Sequence, residues 1–511
     1  SYIYFFSIIA FFILLIACIN FMNMATARYA NRAKEVGIRK VVGSTRIQLI
    51  QQFFTESILI SLLAIVFTVA IIELVLPYFN FLTSKELEIG YLSSWYILPS
   101  LVVFGLLVGI LAGSYPAFYL SSFQPVRVLK GEVKAGGKSN RFRKILVVIQ
   151  FTITISLITG TLLVSDQLEY WQSRDHGYER EGVLVLKRTH ILGDRQKAFR
   201  EELMKNEEIK NASFCSSLPG YDFGGTSFHR YGAPSEELVQ TILIQTDEHY
   251  LETMNIELAE GRFFSQEYGT DEDAVVINET LVRVMGLQDP VNESIVFPHI
   301  SIIAPVIGVI KDVNFESLHR NIRPMTIRKL VDPGWLMAIR IDNENIPDVI
   351  SSIEQTWNDF TGEAPYIYSF LEDDLLELYS NEMRTGRIFT IFSVLAIIIA
   401  CMGLLGMASF TTEKRTKEIG IRKAMGASMQ SICLLLVKEV TLLIAFSTLF
   451  AWPVAWYIMN RWLENFSYRI QPGITTFVIS TLIAFVIALL TVSYQVRKAA
   501  AANPVDSLKY E

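Results

Sequence analysis

Cysteine is scarce in this chain, with four residues among 511. Cys18 and Cys401 fall inside long apolar runs and Cys433 lies at the edge of another, so Cys215 stands alone in the polar part of the sequence. A disulfide framework needs an even set of cysteines in one exported segment. The sequence therefore excludes a small fold held together by disulfides.

Motifs for catalysis and cofactor binding are also lacking. No Gly-x-Ser-x-Gly, His-Glu-x-x-His or Cys–His arrangement occurs, and the six histidines have spacings that predict structural roles and no metal site. A phosphate-binding loop at Gly137-Lys138-Ser139 would need glycine where Glu132 stands. We therefore predict neither an enzyme nor a bound cofactor. An acidic cluster is expected to be a solvated helix face, formed by Glu372, Asp373, Asp374 and Glu377.

Charge is missing from the centres of seven long apolar runs. Hydrophobic residues make up 51% of the chain and the mean hydropathy is +0.35, which is too apolar for a soluble protein of this length. About 20 apolar residues cross a bilayer core as a helix. We therefore predict seven transmembrane helices, at 3–24, 57–78, 96–118, 145–165, 388–410, 438–458 and 475–496. Without central ionisable groups, an ion-coupled transporter is disfavoured.

Lysine and arginine are concentrated in alternate loops. Residues 28–46 and 130–144 are rich in both, whereas the loops near 79–95 and 459–474 hold only Lys85, Arg461 and Arg469. Since basic loops stay in the cytosol, we predict that segment 166–387 is extracytoplasmic and that the C-terminus is cytosolic. The net charge of −6 averages the two faces and predicts no nucleic-acid partner.

The sequence contains a repeat at an offset of 383 positions. Residues 34–43 return at 417–426, 17–25 return at 400–408, and Glu56 returns as Glu439. Each copy holds three predicted spans. The predicted domains are therefore a first repeat (1–132), a basic linker and helix (133–165), an extracytoplasmic domain (166–387) and a second repeat (388–511). The helix at 145–165 precedes the second copy's exported domain, so symmetry predicts an equivalent helix and domain upstream of the first copy.

The motif repeated at 34–43 and 417–426 predicts a short amphipathic helix at the membrane surface. In each copy a Glu precedes an Arg by four residues, which is the favourable order for pairing on a helix. An apolar ridge begins at Ile38 in the first copy and at Ile421 in the second, and each copy ends in a glycine suited to terminating the helix. Anchoring by positive charge would explain the Lys and Arg but not the repeated order. We interpret both copies as docking helices for a cytosolic partner, formed by Lys34, Glu35, Gly37, Ile38, Arg39, Lys40, Gly43, Lys417, Glu418, Gly420, Ile421, Arg422, Lys423 and Gly426.

Other residues near the spans have simpler interpretations. Gly105, Gly109 and Gly113 share one helix face at four-residue spacing, which favours close helix packing, with a substrate groove as the alternative. Glu56 and Glu439 each begin a span, and we expect interfacial solvation or contacts with neighbouring Lys or Arg rather than a proton relay.

The polar segment 166–387 predicts a mixed α and β domain. Composition and periodicity indicate strands at 182–188, 238–246, 274–277, 305–311, 335–341 and 366–370, and helices at 194–206 and 346–360. Asn278 is expected to cap a helix that ends at Met285. A further helix should begin at Leu371 and continue almost unbroken into the span at 388. The predicted fold class is thus a multi-pass α-helical membrane protein with an inserted α+β extracytoplasmic domain.

These motifs resemble the FtsX-like permease family of ABC transporters, in its MacB-like branch. The repeated motif is similar to the family's cytosolic loop between the second and third spans. The family's periplasmic core domain is similar to segments of this chain at 247–254, 260–264, 276–279 and 307–315. The resemblance implies a bacterial inner-membrane permease whose two loops contact a separate cytosolic ATPase, on which ATP is bound. It also implies a fused double permease of eight spans, cut at its front.

The resemblance implies a mechanism as well as an architecture. Mechanotransmission would carry ATPase motion to the extracytoplasmic domain for export or efflux, with a periplasmic adaptor or outer-membrane protein as a further partner. The alternative is a non-transporting regulator or sensor of envelope stress or of cell-wall hydrolases, which would have the same motifs. The sequence does not fix the exported compound, since one fold serves many ligands.

Overall fold

The computed structural model describes residues 2–31, 33–83, 86–90, 94–121, 137–234, 236–298, 302–316, 320–342, 345–414, 425 and 429–500. The chain divides into two compact units, with breaks after Asp166, Met383, Trp462 and Ile470. One is a helical unit. The other, which we call the sheet unit, holds residues 167–383 and the short segment 463–470.

The helices of the described residues fall into long apolar ones and short polar ones. In chain order they are α1 (Tyr2–Asn31), α2 (Ala33–Val41), α3 (Arg46–Thr83), α4 (Ile97–Ser121), α5 (Gly137–Ser173), α6 (Gln196–Leu203), α7 (Tyr250–Met254), α8 (Glu279–Met285), α9 (Ile346–Thr361), α10 (Leu371–Leu378), α11 (Ser380–Lys414), α12 (Met429–Leu463) and α13 (Ile474–Ala500). Three short 3₁₀ segments lie at Thr189–Arg195, Gly269–Glu272 and Pro290–Asn292.

Seven of the described helices are long and apolar enough to cross a membrane. Their apolar segments overlap all the predicted spans and cover Ser7–Ala25, Arg46–Phe81, Ile97–Phe118, Arg141–Ser173, Glu382–Ala408, Val437–Leu463 and Ile474–Tyr494. α3 has 38 residues, or about 57 Å at 1.5 Å per residue, so it exceeds the roughly 30 Å of hydrocarbon.

The glycine face of α4 lies directly against α3. A Cβ atom at Gly109 would stand 2.8 Å from the Cα of Ile58, and one at Gly113 would stand 2.7 Å from the Cβ of Ser57. At Gly105 the nearest atom would be Ile65 Cγ1, at 3.0 Å. Only hydrogen fits at such distances, so these glycines allow the two backbones to approach closely.

The sheet unit is built on eleven strands. They are β1 (Val183–Lys187), β2 (Ile209–Cys215), β3 (Gly224–Arg230), β4 (Val239–Thr246), β5 (Leu258–Gly261), β6 (Val275–Asn278), β7 (Ser294–Phe297), β8 (Ile302–Ile310), β9 (Met325–Lys329), β10 (Leu336–Ile341) and β11 (Tyr368–Phe370). Their order is β11-β1-β10-β2-β4-β3-β7-β8-β6-β9, with β5 added to β8 and β9 also paired with β4. The β4–β9 and β6–β8 pairs are parallel, and the others are antiparallel.

Helices cover both faces of this sheet. α7 and α10 pack on one face through Tyr250, Met254 and Leu375. α6 and α9 pack on the other through Phe199 and Trp357, whose side chains are fully buried. Burying aromatic residues of this size supplies much of the apolar area that holds such layers together. The predicted α+β architecture is confirmed.

Most predicted elements of the sheet unit are confirmed within one to four residues at each end. Asn278 caps α8 as expected, since its side chain accepts a hydrogen bond from the Leu281 amide at 3.0 Å. The helix predicted to run almost unbroken from Leu371 is interrupted at one residue, Tyr379, between α10 and α11. The Tyr379 side chain is buried against Trp171, with ring centroids 3.7 Å apart, and this contact accompanies the break.

The predicted solvated acidic face is wrong at one position. Glu372, Asp373 and Glu377 are exposed, but Asp374 is not. Its carboxylate accepts hydrogen bonds from the hydroxyls of Tyr221 and Ser369 and lies 3.6 Å from the Lys187 ammonium. These partners come from β1, β11 and a loop, so helix periodicity alone could not identify them.

Candidate functional site

The first copy of the repeated motif forms the short helix α2. Glu35 and Arg39 pair across one turn, with Arg39 Nη2 at 2.8 Å from Glu35 Oε1. Arg39 also donates from Nη1 to Gln52 Oε1 on α3, at 2.7 Å, and Gln52 Nε2 donates to Glu56 Oε1 at 3.1 Å. A polar chain therefore links the surface of α2 to the beginning of the membrane-crossing part of α3.

The turn between α2 and α3 is fixed by a glycine at the end of α2 and by a cap at the beginning of α3. Gly43 has a φ of +108°, a left-handed conformation that favours glycine, and the Ser44 amide donates to the Arg39 carbonyl at 2.9 Å. Thr45 and Gln48 then form a capping box, because the Thr45 amide donates to Gln48 Oε1 and the Gln48 amide to Thr45 Oγ1. The Thr-x-x-Gln spacing is a sequence signal for this cap that the sequence analysis missed.

One side of α2 is fixed to its own repeat. Val36 is buried against Leu49 and Phe53 of α3 and Ala117 of α4. Lys40 Nζ donates to the Ser121 carbonyl at the end of α4, at 2.6 Å. Burial, and next the nearby Arg46 guanidinium, lower the pKa of Lys40. The helix is therefore attached to both α3 and α4 and cannot move independently of them.

The opposite side of α2 is an exposed apolar ridge. Ile38, Val41 and Val42 are 54%, 62% and 82% exposed, and Ile47 at the beginning of α3 is 67% exposed. Adjacent large apolar side chains on a charged surface indicate an interaction site. We call the surface formed by Ile38, Val41, Val42 and Ile47 the α2 ridge.

The remaining predicted site residues have different positions. Gly37 is buried in α2, and nothing is described for the side chain of Lys34. The second motif, which comprises Lys417, Glu418, Gly420, Ile421, Arg422, Lys423 and Gly426, lies outside the described residues. Its neighbour Met425 is described and is 76% exposed. The expected partner of Glu439 is found, since Lys144 Nζ of α5 lies 2.7 Å from Glu439 Oε1.

Buried amides occur where α1 meets α5 and α11. Asn20 and Asn23 of α1 and Gln150 of α5 are 7%, 3% and 1% exposed. A Cβ atom at Gly403 of α11 would stand 2.9 Å from Gln150 Nε2 and 3.2 Å from Asn20 Oδ1. Gln150 Nε2 donates to the Ile399 carbonyl, but Asn20 Oδ1 and both polar atoms of Asn23 find no hydrogen-bond partner among the residues that the structure describes. Polar groups in this setting are costly.

An apolar cavity of about 250 Å³ lies among α1, α5, α11 and α12. Its walls are almost wholly hydrocarbon and include Ile9, Phe12, Leu157, Phe389, Val454 and Ile458. No charged side chain lines it. A cavity of this kind offers no path for an ion or a strongly polar solute.

Within the sheet unit, segment 463–470 is fixed to the end of α5. The Gln167 side chain makes two hydrogen bonds to this segment, from Nε2 to the Tyr468 carbonyl and from the Ile470 amide to Oε1, each at 2.9 Å. The Arg174 guanidinium lies 3.8 Å from the centre of the Tyr468 ring, within cation–π range. We call this set of contacts the 463–470 clamp.

His176 lies beside the clamp in a cationic environment. Its ring is 7% exposed, and Arg180 Nη1 lies 3.4 Å from its Nε2. Burial, and then the charges of Arg180 and Arg174, lower the pKa of His176 to about 4. The imidazole is therefore neutral at pH 7, and its Nε2 can accept a hydrogen bond from Arg180 Nη1.

Among the described residues no group of three or more His, Cys, Asp and Glu side chains is arranged to hold a metal ion. Ion pairs do occur in both units, such as Arg39 with Glu35 in the helical unit and Arg262 with the fully buried Asp271 in the sheet unit.

Comparison with known protein families identifies two kinds of domain in the chain. The model described as FtsX-like permease C-terminal matches residues 7–125 and 390–504. The model described as MacB-like periplasmic core domain matches residues 147–355. Together the two cover most of the chain, and the permease model matches it twice.

Curated relatives include two proteins named macrolide export ATP-binding/permease protein MacB. The one from Bdellovibrio bacteriovorus is 25% identical over 273 residues, which are 49% of this chain and 41% of that protein. The one from Yersinia pestis bv. Antiqua (strain Antiqua) is 22% identical over 400 residues, 73% of this chain and 59% of that protein. The ABC transporter permease YknZ of Bacillus subtilis is 30% identical over 120 residues, 23% of this chain and 29% of that protein. The chain thus matches less than two thirds of the length of each.

Among solved structures, the periplasmic region of MacB from Actinobacillus actinomycetemcomitans is similar to this chain at 12% identity. The match covers 39% of this chain and 93% of that one, with a TM-score of 0.30.

Proposed function

We propose that this chain, which belongs to the FtsX-like permeases with a MacB-like periplasmic core domain, couples a separate cytosolic ATPase to movement of its extracytoplasmic domain. The observation that carries the proposal is the α2 ridge. Its apolar side chains are exposed while Val36 and Lys40 attach the same helix to α3 and α4. A force applied at the ridge would therefore reach two membrane helices at once.

The chemistry of the ridge fits a groove on an ATPase subunit. A short amphipathic helix binds such a groove through apolar side chains spaced one turn apart, as Ile38 and Val41 are. Glu35 and Arg39 border the ridge and would restrict which charged surfaces can approach it. Residues 417–426 repeat the motif, so we infer a second docking helix and a pair of ATPase subunits.

Transmission would follow continuous helices. α5 extends over 37 residues and α11 over 35, and each contains one of the breaks between the two compact units. A helix transmits displacement where a flexible linker would not. We infer that ATPase motion moves α5 and α11, and that the work is done outside the membrane, without a polar conduit through it.

Orientation and transport follow from the same proposal. The chain is a membrane permease with an extracytoplasmic domain, and we infer a cytosolic C-terminus because α2 and residues 417–426 must face the ATPase. We infer that the function of this arrangement is export. A periplasmic adaptor or outer-membrane protein would be the further partner outside the inner membrane.

The test is capture of the ATPase by variants of the ridge. We expect Ile38→Asp to weaken co-purification of the ATPase, and Ile38→Asp combined with Ile421→Asp to abolish it, because a carboxylate cannot be buried unpaired in an apolar groove. Val331→Asp is the matched control, since Val331 is a 70% exposed apolar residue of the sheet unit. Undiminished ATPase binding by the double variant would refute the docking proposal.

A further inference from the structure

The apolar cavity among α1, α5, α11 and α12 lies where the two repeats meet, since α1 belongs to the first repeat and α11 and α12 to the second. Small residues leave this space open, because Gly160 of α5 has no side chain and Ala455 of α12 has only a methyl group. A Cβ atom at Gly160 would lie 3.4 Å from Met459 Sδ and 3.6 Å from Phe389 Cε1, in ordinary van der Waals contact. A longer side chain at position 160 would therefore extend into the cavity that these two residues line.

Water is a poor occupant of this cavity. Among the described residues that line it, Thr152 and Ser156 carry the hydroxyl groups, and both donate to carbonyl oxygens of α12, those of Ser447 and Ala451, each at 3.3 Å. A buried water molecule needs about two to four polar partners, and the rest of the wall is hydrocarbon. An empty space of this volume would leave the wall without van der Waals contacts on one side. An apolar molecule is therefore the occupant that the cavity suits.

The cavity opens toward the hydrocarbon of the bilayer. Ile8 of α1 and Val454 of α12 line it and are 52% and 44% exposed, and both lie within the membrane-crossing parts of their helices. Its lining on α5 extends from Thr152 to Gly160, or about 12 Å along the helix axis at 1.5 Å per residue. Since a cavity of about 150 Å³ can hold benzene, one of about 250 Å³ can hold a chain of roughly ten carbon atoms. The length, volume and surroundings of the cavity match a hydrocarbon chain that lies parallel to the helices.

We propose that the cavity binds one acyl chain of a membrane phospholipid, which lies along α5 and fills the space between the two repeats. The chain would contact the deeper wall residues Leu157, Phe389 and Met459, which are buried from the bilayer. The described lining carries no charge, so the phosphate headgroup would remain outside the cavity, at the surface of the bilayer. This site goes beyond the coupling of an ATPase, because that proposal requires no bound lipid.

The test is photolabelling of the chain in vesicles of phosphatidylethanolamine and phosphatidylglycerol that include a phospholipid with a diazirine in one acyl chain. Adducts are located by mass spectrometry. We expect adducts on the buried residues Leu157, Phe389 and Met459, and also on Leu449, which is a 66% exposed residue of α12 outside the cavity. Gly160→Leu should abolish the adducts on the buried residues and leave the adduct on Leu449, because the new side chain fills the cavity.

Two further variants control for folding and for side-chain size. Ala455→Leu fills the same cavity from α12 and should give the same loss of labelling as Gly160→Leu. Ala70→Leu makes the identical change at an exposed position of α3 outside the cavity, and it should leave every adduct unchanged. Thermal unfolding in detergent identifies which of the variants are folded.

Three results would overturn the inference. Absence of adducts on the buried wall of the unsubstituted chain would show that no lipid chain enters the cavity. Wall adducts that persist undiminished in both cavity-filling variants would show that the label reaches these residues by another route. Wall adducts formed by a photoreactive free fatty acid but not by the phospholipid would assign the cavity to a free apolar solute. None of these results bears on ATPase binding by the α2 ridge, so the two proposals fail separately.

Discussion

At the scale of single residues, Gly109 is where α3 and α4 come closest. We expect Gly109→Ala to lower the stability of the folded permease by about 1–3 kcal/mol, because the new methyl group would overlap the Ile58 backbone and force the helices apart. The measurement is thermal unfolding in detergent. Gly473→Ala is the matched control, since a Cβ atom there meets nothing within 4 Å. Equal unfolding temperatures for the two variants would contradict this account.

His176 predicts a pH dependence. Its folded-state pKa of about 4 lies below the usual value near 6.5, so between these values the unfolded chain binds more protons than the folded one. The contribution of neutral His176 is present above pH 6.5 and is lost as the pH falls toward 4. We expect His176→Gln to reduce the loss of thermal stability between pH 7 and pH 5. If the His176 variant lost as much thermal stability between pH 7 and pH 5 as the unsubstituted protein, the His176 ring would not be the cause of that loss.

Individual residues also mark how far the sequence predicts the fold. The Asn278 cap was predictable, because it depends on Leu281, a near neighbour in the sequence. The sequence did not identify Lys144 as the partner of Glu439, because Lys144 lies on a distant helix of the chain. The partly buried position of Asp374 was not predictable either, since Tyr221 lies 153 positions away along the chain. Contacts between distant residues leave no local pattern in the sequence.

At the scale of elements, two of the strands that were not predicted share a cause. β2 (IKNASFC) and β3 (GGTSFHR) contain Asn, Ser and Gly, which are poor strand formers, so composition gave no signal for them. β2 forms because it lies between β10 and β4, and β3 because it pairs with β4 and β7. In contrast, α2 was predictable from the local sequence. Its Glu35–Arg39 pair lies within one helical turn, and Gly43 lies in the turn directly after the helix.

The 463–470 clamp supplies the prediction at this scale. Gln167→Leu removes two hydrogen bonds, each worth about 0.5–1.5 kcal/mol, so we expect segment 463–470 to detach locally while the sheet remains folded. Hydrogen exchange at the Ile470 amide should become faster. Gln172→Leu, the same change at an exposed position of α5, is the control. Unchanged exchange at Ile470 would mean that Gln167 does not hold the segment.

At the scale of the whole molecule, seven helices suited to crossing a membrane and one inserted domain were predictable from hydropathy alone. A long apolar segment can be recognised from its composition alone, without knowing which residues it contacts. Which apolar faces pack against a neighbouring helix could not have been predicted, since apolar residues facing lipid and apolar residues facing a helix have the same composition.

The predicted orientation can be tested directly on cells. Met425→Cys and Tyr231→Cys place thiols at exposed positions of the helical and sheet units. A membrane-impermeant maleimide should label position 231 in intact cells and position 425 only after the inner membrane is opened, because the basic loops are retained in the cytosol. The unsubstituted chain controls for its native cysteines. Labelling at 425 in intact cells would invert the topology and, with it, the position proposed for the ATPase.

Asn20 and Gly403 occupy equivalent positions of the two repeats, and they lie against each other between α1 and α11. A symmetric pairing of two first repeats would bring two amides together at this point, and a pairing of two second repeats would bring only hydrogens. The first would be crowded and the second hollow, so the two repeats are not interchangeable at this seam.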